Sequence, residues 1–298
     1  MRRIVAVLGV ACAVTLTGGP PAQAITGDAA PDFEHPYVGL VVLFDANGGV
    51  VQGCSGSLLT DTVFLTAGHC VTGAGAGTPP ASARIWFEQN AGADYDPATR
   101  SPASSGFPVK GGVPASTFHK YGTGPSTPPQ TYDAGLVVLD EPVTDVYPRL
   151  TEYASLAAPG TLDEYVAAGP SGATMTLSGY GTSFLAGDPQ HLVDGRSRLE
   201  ADTGVVGVNT ARSGSYNVEL AGTSPAGGGG GACFGDSGGP LLLPGTDVTT
   251  AVISTGSTTC TGPFLSSRTD TEAVVGWILE NAGSEAAEIA VEGAAVAP

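Results

Sequence analysis

The sequence predicts an antiparallel all-β protein, and three observations carry that prediction. Gly (45) and Pro (23) together approach a quarter of the 298 residues, while charged residues make up only 13%, a balance that favours short strands and turns over long helices. Short apolar runs bounded by Gly, Pro, Asn or Asp recur along the chain. A helical period in the apolar residues emerges only near the C-terminal end. Coiled coils and helical bundles are excluded.

Taken in order, strands are expected at 37–44, 57–59, 63–66, 84–87, 135–139, 174–177, 205–208, 240–243 and 248–253. Asp45-Ala46-Asn47-Gly48-Gly49 joins two apolar runs and reads as a hairpin, because Asn-Gly takes the positive φ that tight turns need. Segments 72–82, 122–130 and 222–231, rich in Gly, Ser, Thr and Pro, read as surface loops rather than linkers. Thr271 to Asn281 puts Val274, Val275, Ile278 and Leu279 on one face with Trp277 beside it, the pattern of a short docked helix. The Ala- and Glu-rich stretch from Ser284 to Pro298 is consistent with a frayed helix or a solvated acidic tail.

A hydrophobic fraction of 42% suffices for a real core, so disorder of the whole chain is excluded. With 11 Lys+Arg against 28 Asp+Glu the formal charge is −17. That balance argues against nucleic acid as a partner, since such binding relies on cationic contacts with phosphates. Residues 1–24 have the layout of a secretory signal: Arg2 and Arg3, an apolar run from Ile4 to Leu16, then small residues ending Ala22-Gln23-Ala24. The apolar run is shorter than the ~20 residues needed to span a bilayer, and no later segment comes close. The expected product is a secreted, extracellular chain beginning at Ile25, with no membrane contact and a monomeric state as the default. Cys12 would leave with the signal. Cys54, Cys70, Cys233 and Cys260 would remain in an oxidising compartment, where two disulfides are expected. Zinc is disfavoured because there is no Cys-x-x-Cys pair and no second His placed to complete a ligand set. Spacing alone leaves all three pairings of the four cysteines open.

Three segments carry chemistry. Gly235-Asp236-Ser237-Gly238-Gly239-Pro240 lies between a glycine run and the apolar Leu241 to Leu243. Its glycines allow backbone N–H groups to converge beside the hydroxyl, as an oxyanion requires. Leu65-Thr66-Ala67-Gly68-His69-Cys70 sets a His at the turn after an apolar strand. Tyr132-Asp133-Ala134-Gly135 sets an Asp at the mouth of another. A serine hydroxyl is a poor nucleophile unless a base activates it and an acid orients that base, and His69, Asp133 and Ser237 supply all three. Thr-Ala-Gly-His-Cys and Gly-Asp-Ser-Gly-Gly-Pro, in this order along the chain, resemble the motifs of the chymotrypsin-fold (trypsin-like) serine proteases, and the resemblance runs from Ile25 to about Asn281.

The resemblance implies two six-stranded antiparallel β-barrels with a short C-terminal helix, and a partition into signal (1–24), protease domain (25–283) and acidic tail (284–298). It implies a triad of His69, Asp133 and Ser237, an oxyanion hole made by the N–H groups of Gly235 and Ser237, and the pairings Cys54–Cys70 and Cys233–Cys260. It implies an ion pair between the amine of Ile25 and Asp236. Ile25-Thr26-Gly27-Asp28 resembles the family's Ile-Val-Gly-Gly start, and signal removal alone would then yield the active form.

Six residues before Ser237, where trypsin-like members carry an Asp, this chain has Gly231. Ser254-Thr255-Gly256 resembles the family's pocket wall, with Thr255 in place of Trp, and Phe264 aligns with a residue deep in that wall. Cleavage after apolar residues follows, large or medium if the pocket is open and small if Phe264 intrudes. No cofactor and no metal are implied. Polypeptide substrates and proteinaceous inhibitors are the implied partners. His35, His119 and His191 read as surface residues of loops, and Glu88, Asp94 and Asp96 as solvated acids rather than a calcium site. Two other classes share the fold: a non-catalytic binding protein, a type that typically loses a triad member where this chain keeps all three and to which only Thr255 and the altered N-terminus point, and an esterase with the same triad.

Overall fold

The computed structural model describes residues 25–73, 77–91, 107–108, 111–123, 132–168, 172–185, 188–194, 196–224 and 228–293, without the side chains of 183–194. The expected signal 1–24 with Cys12, the loop acids Asp94 and Asp96, parts of the three expected loops, and residues 294–298 of the tail lie outside them.

Twelve strands form two closed barrels. In the first, β1 (Val38–Phe44), β2 (Val50–Leu58), β3 (Val63–Ala67), β4 (Ser82–Trp86), β5 (Val113–Tyr121) and β6 (Ala134–Leu139) pair in the order β1-β2-β3-β6-β5-β4. The ring closes where Leu40 of β1 faces Trp86 of β4. In the second, β7 (Thr174–Gly179), β8 (Leu199–Val208), β9 (Asn217–Leu220), β10 (Pro240–Leu242), β11 (Val248–Thr255) and β12 (Phe264–Arg268) pair as β7-β8-β9-β12-β11-β10. Here Thr176 of β7 faces Leu242 of β10 to close the ring. Both rings follow one strand order, and closure leaves no edge to aggregate.

Local chemistry explains the turns. The β1–β2 hairpin forms because Asp45 Oδ1 accepts from the N–H groups of Asn47 and Gly49, both at 2.8 Å, with Gly48 at φ +80°. All seven residues of β1 are buried, which accounts for its unbroken apolar run. One hydrophobic cluster fills the first barrel around Leu40, Phe64, Ile85 and Leu136. Another fills the second around Leu177, Val218, Leu241 and Phe264.

Four helices connect the strands: α1 (Gly68–Thr72), α2 (Val143–Val146), α3 (Thr161–Ala168) and α4 (Glu272–Ala282). Thr271 caps α4 by accepting from the Val274 N–H. Although α4 follows the second barrel in the chain, its Val274, Ile278 and Ala282 join the core of the first.

A buried cation sits between the barrels. Arg198, 3% exposed, donates through Nη1 to the carbonyls of Val38 and Phe87 and to the Tyr180 hydroxyl, each at 3.1 Å, and through Nε to Asp32 O at 3.2 Å. Buried charge is tolerated where every donor finds an acceptor. Here the acceptors come from both barrels.

The structure departs from the sequence-based expectations at definite places. Helix is not confined to the C-terminal region, since α3 forms at 161–168. Strands β5, β9 and β12 escaped notice because their polar positions break the apolar pattern. Glu219 in β9 is held by Arg212 at 3.0 Å, and Arg268 in β12 by Asp163 and Asp270 at 2.7 and 2.8 Å. His35 is buried rather than a surface residue, His119 lies in β5, and His191 belongs to the hairpin strand Asp188–Asp194. Beyond α4, Gly283–Ala287 turn as a 3₁₀ helix and Val291–Glu292 pair in parallel with Ser155–Ala157. No helix among the described residues is long and apolar enough to cross a membrane.

Both disulfides join Cys54 to Cys70 and Cys233 to Cys260. Replacing Cys54 and Cys70 together by Ser should lower the unfolding free energy by about 3 kcal/mol, the chain-entropy value for a loop of this size. Urea titration of the double variant beside the parent measures it.

Candidate active site

β3 carries the chain to Ala67, and α1 begins at once, so His69 stands at the end of a barrel strand. Gly68 has no alternative there: a Cβ would come within 2.8 Å of Ala134 O. Its N–H donates to Asp133 O at 3.0 Å. The next residue doubles the tie, with the His69 N–H donating to Asp133 Oδ1 and Nδ1–H to Oδ2, both at 2.7 Å. Fixing the proton on Nδ1 leaves Nε2 as the basic nitrogen.

Asp133 precedes β6 and is fully buried. Burial alone would push its carboxyl up. The hydrogen bond and charge of His69, the Ser254 hydroxyl and the His69 backbone amide together hold it below the usual carboxylate range. The Ser254 hydroxyl donates to Oδ2 at 2.7 Å, and the Asp133 N–H donates to Ser267 Oγ at 2.8 Å. Ser254 lies in β11 and Ser267 in β12, so the second barrel holds the acid of the first. The sequence does not single out Ser267, which stands in the mixed run Phe264-Leu265-Ser266-Ser267-Arg268.

Ser237 sits on a loop shaped by close approach. Cys233-Phe234-Gly235-Asp236 form a turn closed by the Asp236 N–H to Cys233 O at 3.1 Å, with Gly235 at φ +96°, the conformation of a type II turn. Gly238, at φ +82°, packs so tightly that a Cβ would meet Thr66 Oγ1 at 2.1 Å and Ser55 O at 2.4 Å. The loop is therefore pressed onto the first barrel beside the Cys54–Cys70 disulfide. Cys70 Sγ lies 3.8 Å from His69 Nε2 and 3.8 Å from Ser237 O. Among the described residues the Ser237 hydroxyl makes no hydrogen bond, to His69 or otherwise. Such contacts are often long before substrate arrives. The N–H groups of Gly235 and Ser237 likewise donate to no acceptor among the described residues, which leaves them free for an anion.

A cavity of about 270 Å³ opens beside Ser237, with Cys233, Phe234, Ile253, Ser254, Thr255 and Gly256 in its walls. Two expected pocket residues adjoin its walls without lining it. Gly231 pairs with Thr26, where a Cβ would meet Thr223 Oγ1 at 2.5 Å. Phe264 lies in the second-barrel core behind Gly256.

Asp236 is also fully buried, accepting from the Cys233 and Gly181 N–H groups, each at 2.8 Å. Among the described residues no cationic side chain faces it. Burial pushes its carboxyl up to about 7 against the pull of those two amides. Ile25 is buried with the second-barrel core, and the adjoining Thr26–Gly27 packs along Gly230–Gly231 and the strand that begins at Thr182.

A second ionic cluster lies away from Ser237. His35 Nδ1 is 3.1 Å from Asp32 Oδ1 and 3.5 Å from Glu200 Oε2. Asp32 is already occupied by the N–H groups of Glu34 and His35 and by the Ser178 hydroxyl, with Arg198 Nε 3.7 Å away. This cluster ties protein to protein.

The family model described as Trypsin matches residues 24–278. "Fibrinolytic enzyme, isozyme C" of Lumbricus rubellus is 28% identical over 246 residues, covering 79% of this chain and 90% of the relative. Among solved structures, HL collagenase matches with a TM-score of 0.59 at 20% identity, over 86% of this chain and 97% of the other. A mutant of human heparin binding protein (CAP37) matches with a TM-score of 0.54, also at 20% identity and over the same shares. These two likenesses speak for the fold. Matched over most of its length and built on the same pair of barrels, the chain belongs to the trypsin family of serine-type endopeptidases.

Proposed function

We propose that the protein is an exported endopeptidase that cleaves peptide bonds by acyl transfer through Ser237. The observation that carries this reading is the pair of hydrogen bonds that His69 donates to Asp133, which fixes the ring with Nε2 as its base, beside the Cys70 sulfur that also borders Ser237. Ser237 Oγ attacks the scissile carbonyl carbon while His69 Nε2 takes the hydroxyl proton. The resulting oxyanion is held by the N–H groups of Gly235 and Ser237. Its collapse breaks the C–N bond, and His69 returns the proton to the leaving amine. Water then repeats the sequence on the acyl-enzyme. Asp133, already ionised, stabilises the imidazolium without accepting its proton.

Among the described residues the walls of the 270 Å³ cavity carry no carboxylate, so a lysine or arginine side chain entering it would lose water without gaining a partner. Phe264 stands behind the wall rather than within it. Both observations support cleavage after medium or large apolar residues. A peptide panel is expected to show this; dominant cleavage after Lys or Arg would refute it.

Export and maturation belong to the same reading. A buried carboxyl with no cation beside it calls for one, and an ammonium freed at Ile25 would supply it to Asp236. In the full chain, where Ile25 is joined to Ala24, the sign of the pH effect follows from the raised carboxyl. Between about 4 and about 7 Asp236 is protonated when folded and ionised when unfolded, so folding takes up a proton. Its contribution to stability is complete below that window and is lost as pH rises through 7. Urea midpoints at pH 5 and pH 8 should therefore differ more in the full chain than in its Asp236→Asn variant.

Intact mass spectrometry with a fluorophosphonate probe tests the whole reading. One adduct is expected on a secreted chain that begins at Ile25, absent from Ser237→Ala. A folded, processed chain that takes no adduct would favour the non-catalytic binding protein, and turnover of esters without peptides the esterase. Asp133→Asn should lower kcat about 10⁴-fold at neutral pH, because an Asn in that place favours the wrong imidazole tautomer; steady-state kinetics on the best peptide of the panel measures it.

A further inference from the structure

We propose that Ser55 is a positioning residue for the oxyanion-binding amides, clamping from the first barrel the carbonyls of both residues that present them. The inference rests on the reading of Gly235 and Ser237 given above. Ser55 is fully buried in β2, beside Cys54. Its N–H donates to Ser237 O at 2.8 Å, and its hydroxyl donates to Gly235 O at 2.8 Å. The same hydroxyl accepts from the Tyr180 N–H at 2.9 Å, and the Ser55 carbonyl accepts from Thr66 Oγ1 at 2.7 Å. Every polar atom of the residue is used.

The turn from Cys233 to Asp236 brackets Gly235, but Gly235 itself has little to anchor it. It has no side chain, its φ of +96° is open to glycine alone, and its neighbour Phe234 is 55% exposed. Among the described residues, the bond from the Ser55 hydroxyl is the only hydrogen bond Gly235 makes. The direction of its N–H depends on how its Cα is held, and that carbonyl is the handle. Ser237 is tied separately, through the Ser55 backbone, so a change of side chain releases one amide and leaves the other in place. Catalysis by such amides needs donors fixed before the charge develops. A loosened Gly235 would bind the ground state as before and the oxyanion less well.

Ser55→Ala and Ser55→Gly, with active sites titrated, test this on the mature enzyme. The expected result is a fall of about tenfold in kcat with KM little changed, smaller than the 10²–10³ that follows outright loss of an oxyanion donor. Affinity for a peptidyl aldehyde, whose hemiacetal places an oxyanion between the amides, should fall by the same factor as kcat/KM. If both variants melt at lower temperature but keep kcat per titrated site and aldehyde affinity, Ser55 is only part of the packing and the proposal fails. It fails too if neither variant folds, because the loss of one buried hydroxyl would then be a loss of the fold. Ser237→Ala separates this from the underlying reading: peptide hydrolysis that survives Ser237→Ala defeats the nucleophile assignment whatever Ser55 does.

Discussion

The Asp133 carboxylate, sealed at the seam of two barrels, is the interaction on which the arrangement turns. Burying a carboxylate is costly unless hydrogen bonds replace its water. Here two come from His69, on the first barrel, and one from Ser254, on the second, while Ser267 accepts from the Asp133 backbone. The surroundings of the buried carboxylate are thus drawn from both barrels, which links the setting of the imidazole to the docking of the halves. Arg198 enforces the same condition with the opposite charge, its guanidinium satisfied by carbonyls and a hydroxyl drawn from both sides.

Close backbone approach sets the second constraint. The Ser237 loop lies against β2 and β3 without side chains in between, and Gly238 meets that demand where any Cβ would collide with Thr66 and Ser55. The disulfide from Cys54 to Cys70 then fixes the strand that carries Ser55 relative to the helix that carries His69. His69, Ser237 and Gly235 are thereby referenced to one short stretch of the first barrel. Precision at the site comes from strands and a covalent bridge rather than from the glycine-rich loop itself.

How much of this was legible in the sequence depends on whether a feature is local. His69 and Ser237 stand in compact motifs whose glycines announce tight turns, and Asp133 stands at the head of a plainly apolar strand. The hairpin at Asp45 to Gly49 and the helix near 271–282 were legible for the same reason. What could not be seen depends on register between distant segments. Nothing in Phe264-Leu265-Ser266-Ser267-Arg268 shows that Ser267 will meet Asp133, 134 residues away, or that Arg268 will find Asp163. Polar residues satisfied across a barrel erase the alternating pattern that would mark the strand. Gly231 and Phe264 were assigned to the pocket by counting from Ser237 and by loop alignment, and neither method sees that one is committed to Thr26 and the other to the core.

The C-terminal helix has a consequence for the order of events in synthesis. Its Val274, Ile278 and Ala282 complete the core of the barrel made first, so the N-terminal half emerges long before the residues that cover its apolar face. A ribosome that has released 170 residues has produced all six strands of that barrel but not the helix that completes its core. Lasting burial of that core, and with it a competent site, waits for the end of translation.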